Sequence, residues 1–194
     1  MNQPSNQIRR SPATFSLFAR ALHWSMAAGI IAMLFIGVGM VASVSERHQW
    51  LIHIHKPLGL ALLALVCIRL VRRLYKGAPA LPADLPAWQR QAAHASHILL
   101  YALMFAMPLI GWAMLSAGGY PVVAAGWQLP PIAPADAALF SWLRGAHRYL
   151  ALLLFATVLL HLAAALFHGW IRRDSVLDSM TRGRSKPPQN LPQA

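Results

Sequence analysis

Charge is what this sequence has least of. Only 11% of its 194 residues are Asp, Glu, Lys or Arg, only 5 are acidic, and 57% are hydrophobic. A soluble domain carries roughly twice that charged fraction. The shortage excludes an ordinary water-facing surface, and the mean hydropathy of +0.47 agrees. Cysteine is nearly absent too. The single Cys67 lies inside an apolar run, which excludes an intrachain disulfide and reads as a small packing residue. The formal net charge of +12 superficially suggests nucleic-acid binding. The basic residues, however, lie between long apolar runs rather than along a soluble helix or sheet. No nucleic-acid partner is expected, because positive charge beside membrane spans has its own cause.

What the chain has in abundance is hydrophobic length. Four runs, roughly 15–43, 53–75, 92–115 and 146–171, are each long enough to cross a hydrocarbon core that needs about 20 residues. Breakers separate them: "SERHQ", "KGAPALPADLP" and "GGYPVVAAGWQLPPIAPAD". The expectation is an all-α, integral membrane four-helix bundle over residues 14–180, with the lipid bilayer as its surroundings. Polar, Pro-containing tails at 1–13 and 181–194 are expected to be disordered. The first run is too long for the apolar region of a secretory signal, and it opens with Arg20 and His23.

Basic residues set the orientation. Thirteen of the 17 Lys and Arg residues fall on one side: Arg9, Arg10, Arg20, Arg69, Arg72, Arg73, Lys76, Arg90, Arg172, Arg173, Arg182, Arg184 and Lys186. Arg47, Lys56, Arg144 and Arg148 fall on the other. Both termini are therefore expected in the cytoplasm, with the first and third connections outside; in a bacterium, outside means the periplasm.

Nine histidines are many for so apolar a chain, and an ionisable group within a membrane span is a functional hypothesis by default. In the last run His147, His161 and His168 are spaced by fourteen and then seven residues. At ~100° per residue they share one stripe of a helix. Sorted by depth, His23 and His161 lie near the cytoplasmic face, whereas His55 and His147 open their helices at the outer face. A rise of ~1.5 Å per residue sets the two levels of the last helix about 21 Å apart. Capping or interface roles explain any one of these residues. Two depth-matched pairs suit two stacked bis-histidine haems in a four-helix bundle, each iron taking two imidazoles and keeping no open position. No C-x-x-C-H segment exists, so such haems are non-covalent. His53 competes with His55 for the outer level. His55 is preferred because Arg69, fourteen residues on, shares its face at the depth of the inner haem, though the residues alone leave both histidines available. Arg20, Arg69, Arg148 and Lys56 are candidates to neutralise haem propionates. Gly37, Gly39, Gly59 and Gly111 give a flat macrocycle room or let helices pack. Pro108 is expected to kink its helix. His94, His97 and His168 lie toward the cytoplasmic face, where His97 and His168 are candidates to line a quinone pocket. Trp24, Trp112, Trp142 and Trp170 read as interface-belt aromatics.

The segments "RALHWSMA", "HKPLGLALLALVCIRLVRRLY", "AHASHILLYALMFAMPLIGW" and "AHRYLALLLFATVLLHLAAALFHGW" together resemble the prokaryotic cytochrome b561 family. The resemblance covers residues 14–180 and leaves out the long basic tails. It implies a diheme b-type cytochrome of the bacterial inner membrane, with His23 and His161 ligating the inner haem iron and His55 and His147 the outer. Members of this compact size include superoxide oxidases, which pass electrons from superoxide outside to ubiquinone. Related diheme subunits anchor formate dehydrogenases and hydrogenases and reduce quinone. The expected function is therefore electron transfer between a periplasmic donor and ubiquinone or another quinone at the cytoplasmic side. The donor is superoxide, drawn by Arg47, Lys56, Arg144 and Arg148, or else a partner redox protein. The haems would do the redox chemistry, with no acid–base catalytic residue needed.

Overall fold

A computed structural model describes residues 14–183, apart from positions 43, 83 and 125. The tail expected at 1–13 and residues 184–194 of the second tail lie outside the described residues. Four long helices carry the chain: α1 (Leu17–Val41), α2 (Glu46–Lys76), α3 (Ala87–Ala117) and α4 (Ala137–Leu166). Each is long and apolar enough to cross a membrane. The architecture is a helical bundle of the membrane type. Between α3 and α4 the chain adds a small antiparallel hairpin of β1 (Val122–Ala124) and β2 (Trp127–Leu129), with Val122 opposite Leu129. Three-residue strands are too short to show a period, so the sequence marks this stretch only as a breaker.

Helix boundaries follow local chemistry. Ser16 caps α1 by accepting from the Ala19 N–H, and Asp136 caps α4 by accepting from the Leu139 N–H at 2.6 Å. The Asp136 cap starts α4 nine residues before the run read from 146, because the helix takes in the mostly apolar residues 137–143, which Arg144 and Gly145 separate from that run. α2 likewise starts seven residues early, with Glu46 in its first turn; Arg73 and Lys76 lie in its last. Gly77, at φ 68°, then ends it. Pro57 and Pro108 both lie inside helices that continue through them. After α4 comes a π-helical turn, Phe167–Arg172, then Arg173 with a left-handed φ of 54°, then a short α5 (Ser175–Thr181).

Few side chains are fully buried. Val66 of α2 is completely enclosed between Leu22 and Met26 of α1 and Tyr101, Met104 and Phe105 of α3. Large apolar side chains such as Phe35, Leu160 and Ile171 are exposed. That arrangement suits a bundle whose outer solvent is hydrocarbon. α1 packs against α2, and α3 against α4, with α2 touching α3 between them; α4 makes few close backbone approaches to α1 or α2. Small residues allow the tight α1/α2 contact: a Cβ on Gly29 would meet Leu62 at 2.9 Å, and one on Gly39 would meet Leu51 at 3.1 Å. Gly39 thus serves helix packing, and Gly59 faces Met33 in the same interface.

The two ends of the bundle differ. At one end the hairpin connection is tied to α3: Ser116 Oγ accepts from the Ile132 N–H, and Trp112 Nε1 donates to the Pro130 carbonyl. At the other, α5 folds back onto α1. Arg20 donates to the Thr181 carbonyl at 2.7 Å and Trp24 Nε1 donates to the Met180 carbonyl at 3.2 Å. The first is the hairpin end of the bundle and the second its base.

Candidate functional site

The helices bring the histidines together in two groups, one toward each end. Toward the hairpin end, His55 of α2 faces His147 of α4 with ring centres 6.2 Å apart and planes at 64°. His53 is exposed instead. Two residues along a helix rotate the side chain by ~200°, so only one of the two can turn toward α4. Toward the base, His23 of α1 faces His161 of α4 at 6.3 Å with planes at 69°. Both pairs span the spaces where α4 stands off from α2 and α1. Along unbroken α4 the pairs are fourteen positions apart, or about 21 Å.

These separations match a bis-imidazole iron site. A metal–imidazole bond of about 2 Å on each side, plus about 1.1 Å from nitrogen to ring centre, predicts centres ~6.2 Å apart. The buried Nδ1 atom of His55 has no hydrogen-bond partner, and the Met107 backbone lies close to the His147 ring. Gly111 of α3 lies against the His147 ring, where a Cβ would come within 3.3 Å of Cε1. Among the described residues no group of three or more His, Cys, Asp or Glu is placed to hold a metal by protein ligands alone. A ligand that brings its own equatorial donors, as a porphyrin does, fits this donor set.

The base group contains more than its pair. His97 of α3 stands 5.6 Å from His161. The Arg69 guanidinium is near enough to His23, His97 and His161 to act on all three electrostatically. It reaches the Ala19 carbonyl at 3.5 Å, and among the described residues it pairs with no carboxylate. Arg69 also lines a small cavity with Phe15, Leu22, Arg72, Arg73 and Tyr101. Arg73 lies over the Tyr101 ring, and the buried Tyr101 hydroxyl lies close to the Arg69 guanidinium.

The remaining candidates are dispersed. Arg20 holds the Thr181 carbonyl, its Nε buried and unbonded. Arg148 is exposed one position past His147. His168 lies in the π-helical turn and bonds Asp174 at 2.5 Å. His94 is exposed and bonds the Arg90 carbonyl. Sequence reasoning passed over Asp174 and Tyr101. "IRRD" reads as membrane-flanking charge, and nothing local marks its acid as the partner of a histidine six residues earlier.

Known proteins resemble this chain along most of its length. The family model for prokaryotic cytochrome b561 matches residues 14–183. The chain is 31% identical to "Cytochrome b561 homolog 2" of Escherichia coli (strain K12), over 88% of this chain and 92% of the relative. It is 26% identical to "Cytochrome b561 homolog 1" of the same organism, over 80% of this chain and 90% of the relative. It is 28% identical to the "Probable superoxide oxidase CybB" of Yersinia pestis, over 84% of this chain and 93% of that protein. With four membrane-type helices and a match along nearly its whole length, the chain belongs to the prokaryotic cytochrome b561 family, as a multi-pass membrane cytochrome b of electron transfer.

Proposed function

We propose that this protein carries electrons across the bacterial inner membrane through two non-covalent haem b groups. The donor is periplasmic, the acceptor is a quinone at the cytoplasmic side, and both termini are cytoplasmic. One observation carries the reading: two imidazole pairs, at 6.2 and 6.3 Å, stand at two depths across the spaces beside α4. His23 and His161 would hold the inner iron, and His55 and His147 the outer. When bound, haem would supply a one-electron couple, and two imidazoles offered to each iron would favour electron transfer over oxygen binding.

The protein's own groups set charge and access around that couple. Arg69 offers an unpaired cation to an inner propionate. Arg20 is already committed to Thr181, which leaves it the weaker candidate for that role. Arg148 is exposed at the outer level, available to an outer propionate or to an incoming anion. Arg47, Lys56, Arg144 and Arg148 lie toward the hairpin end, and of the 5 acids in the sequence only Glu46 and Asp136 lie with them. Such an excess draws small anions, and superoxide is the donor it suits. At the base, His97 and His168 would line the quinone pocket and offer hydrogen bonds to its carbonyl oxygens.

The test has two arms. Haem is extracted from purified protein and counted per chain; two are expected, and one or none overturns the reading. Oxidised protein is then mixed with superoxide in a stopped-flow device, with and without a short-chain ubiquinone. Reduction that is rapid and reversed by quinone supports the full reading. Intact haems that superoxide fails to reduce remove superoxide as donor and favour a quinone-reducing subunit fed by a dehydrogenase or hydrogenase.

A further inference from the structure

We propose that His168 and Asp174 form a proton-carrying dyad at the base of α4, in which Asp174 positions the ring and His168 Nε2 hands a proton to quinone undergoing reduction. The proposal rests on the quinone reading above and names the group that would serve it.

The dyad is built, not incidental. Asp174 Oδ2 accepts from His168 Nδ1 at 2.5 Å and from Arg172 Nε at 3.2 Å, while Oδ1 accepts from the Val176 N–H at 3.0 Å. Both partners are largely enclosed, with 15% of the His168 side chain and 13% of the Asp174 side chain exposed. Arg172 also donates to Asp84 in the α2–α3 connection at 2.8 Å, and the Asp84 side chain is 75% exposed. The network therefore runs from water at Asp84 to an enclosed imidazole.

The backbone departs from regular helix to make this contact. Along an α-helix a residue six positions on lies ~240° around the axis, on another face. The π-helical turn Phe167–Arg172 and the left-handed Arg173 redirect the chain, so that Asp174 caps α5 and points back to His168. π-helical turns occur often at functional sites. Asp174 also receives its own backbone bond from this bend, its N–H donating to the His168 carbonyl.

The chemistry follows from which nitrogen is committed. A carboxylate only accepts, so Nδ1 carries a hydrogen and Nε2 is the nitrogen left for exchange. Taking a quinone to a quinol consumes two electrons and two protons. The electrons arrive from the periplasmic donor, and the protons must enter from water at this end. His168 stands seven residues beyond His161, about 10 Å nearer the base. In each transfer the Nε2–H bond breaks, an O–H bond forms on a quinone oxygen, and the now neutral ring takes its next proton from water. The Asp174 bond keeps Nδ1–H and the ring's orientation through the cycle.

Protein reduced anaerobically with dithionite is mixed with decylubiquinone, following reoxidation in H2O and in D2O. In Asp174→Asn the limiting rate should fall at least about tenfold, with a larger solvent isotope effect and half-saturation within about twofold. Asp174→Glu should recover part of the rate. Asn also caps helices, so α5 is kept; should the variant still lose haem, His168→Gln puts the same question without touching the cap. A native limiting rate, or a change in half-saturation alone, overturns the dyad. Wild-type protein that decylubiquinone fails to reoxidise overturns the quinone reading itself.

Discussion

His97 and His161 stand with ring centres 5.6 Å apart, closer than the 6.3 Å between His23 and His161. A shared iron asks for about 6.2 Å, so His23 has the better separation and His97 lies beside the pair. His161→Ala is therefore expected to lose the inner haem and keep the outer, halving haem per chain. His97→Ala is expected to retain both. Haem extraction with a reduced-minus-oxidised spectrum decides it, and a His97 variant with half the haem would make His97 a ligand.

The outer level gives a parallel contrast. His55 faces His147 while His53, two residues earlier, is exposed. His55→Ala should remove one haem, and His53→Ala should leave the count at two, with a melting temperature within a few degrees of wild type, as surface changes usually do.

Gly111 sets the room beside His147. An alanine Cβ there would come within 3.3 Å of Cε1, so the ring must give by a few tenths of an ångström. Gly111→Ala should keep both haems and shift the outer potential. Gly111→Val adds bulk with no space to enter, and overpacking of this kind costs about 1–3 kcal/mol. Outer-haem occupancy in the valine variant should fall roughly five- to hundredfold against competing apo-protein, read by titration with haem.

Arg69 is a cation among three imidazoles with no carboxylate partner among the described residues. A nearby positive charge disfavours the ferric state, which carries one charge more than the ferrous. Arg69→Gln should lower the inner midpoint potential by on the order of 60 mV, the one-electron equivalent of about 1.4 kcal/mol. Arg69→Lys should retain most of the native value. Spectroelectrochemical titration reads both haems at once, and an unmoved inner potential would show that this cation is screened.

Parts of the fold are legible in the residues and parts are not. The runs at 92–115 and 146–171 mark α3 and α4, but Asp136 starts α4 earlier than hydropathy does, because a cap acts through one hydrogen bond rather than through apolar content. The stretch 118–136 reads as a breaker and holds a hairpin, since its strands are only three residues long. The stripe read through His147, His161 and His168 is regular as far as Leu166; beyond it the π-helical turn takes over and His168 is held by Asp174.

Composition and run length by themselves determined four membrane helices. Crossing a hydrocarbon core demands about 20 apolar residues with every backbone group bonded inside the segment, whatever the neighbours are. They also placed His147 and His161 on one face, because the helix period is a local property. Only the tertiary structure decided which residues meet that face: His55 in place of His53, His97 as a third imidazole, Gly111 against the outer ring, and Asp174 folded back to His168. Those choices depend on how each helix is rotated and spaced against the others, and on a turn bent by packing. A sequence read one segment at a time carries neither.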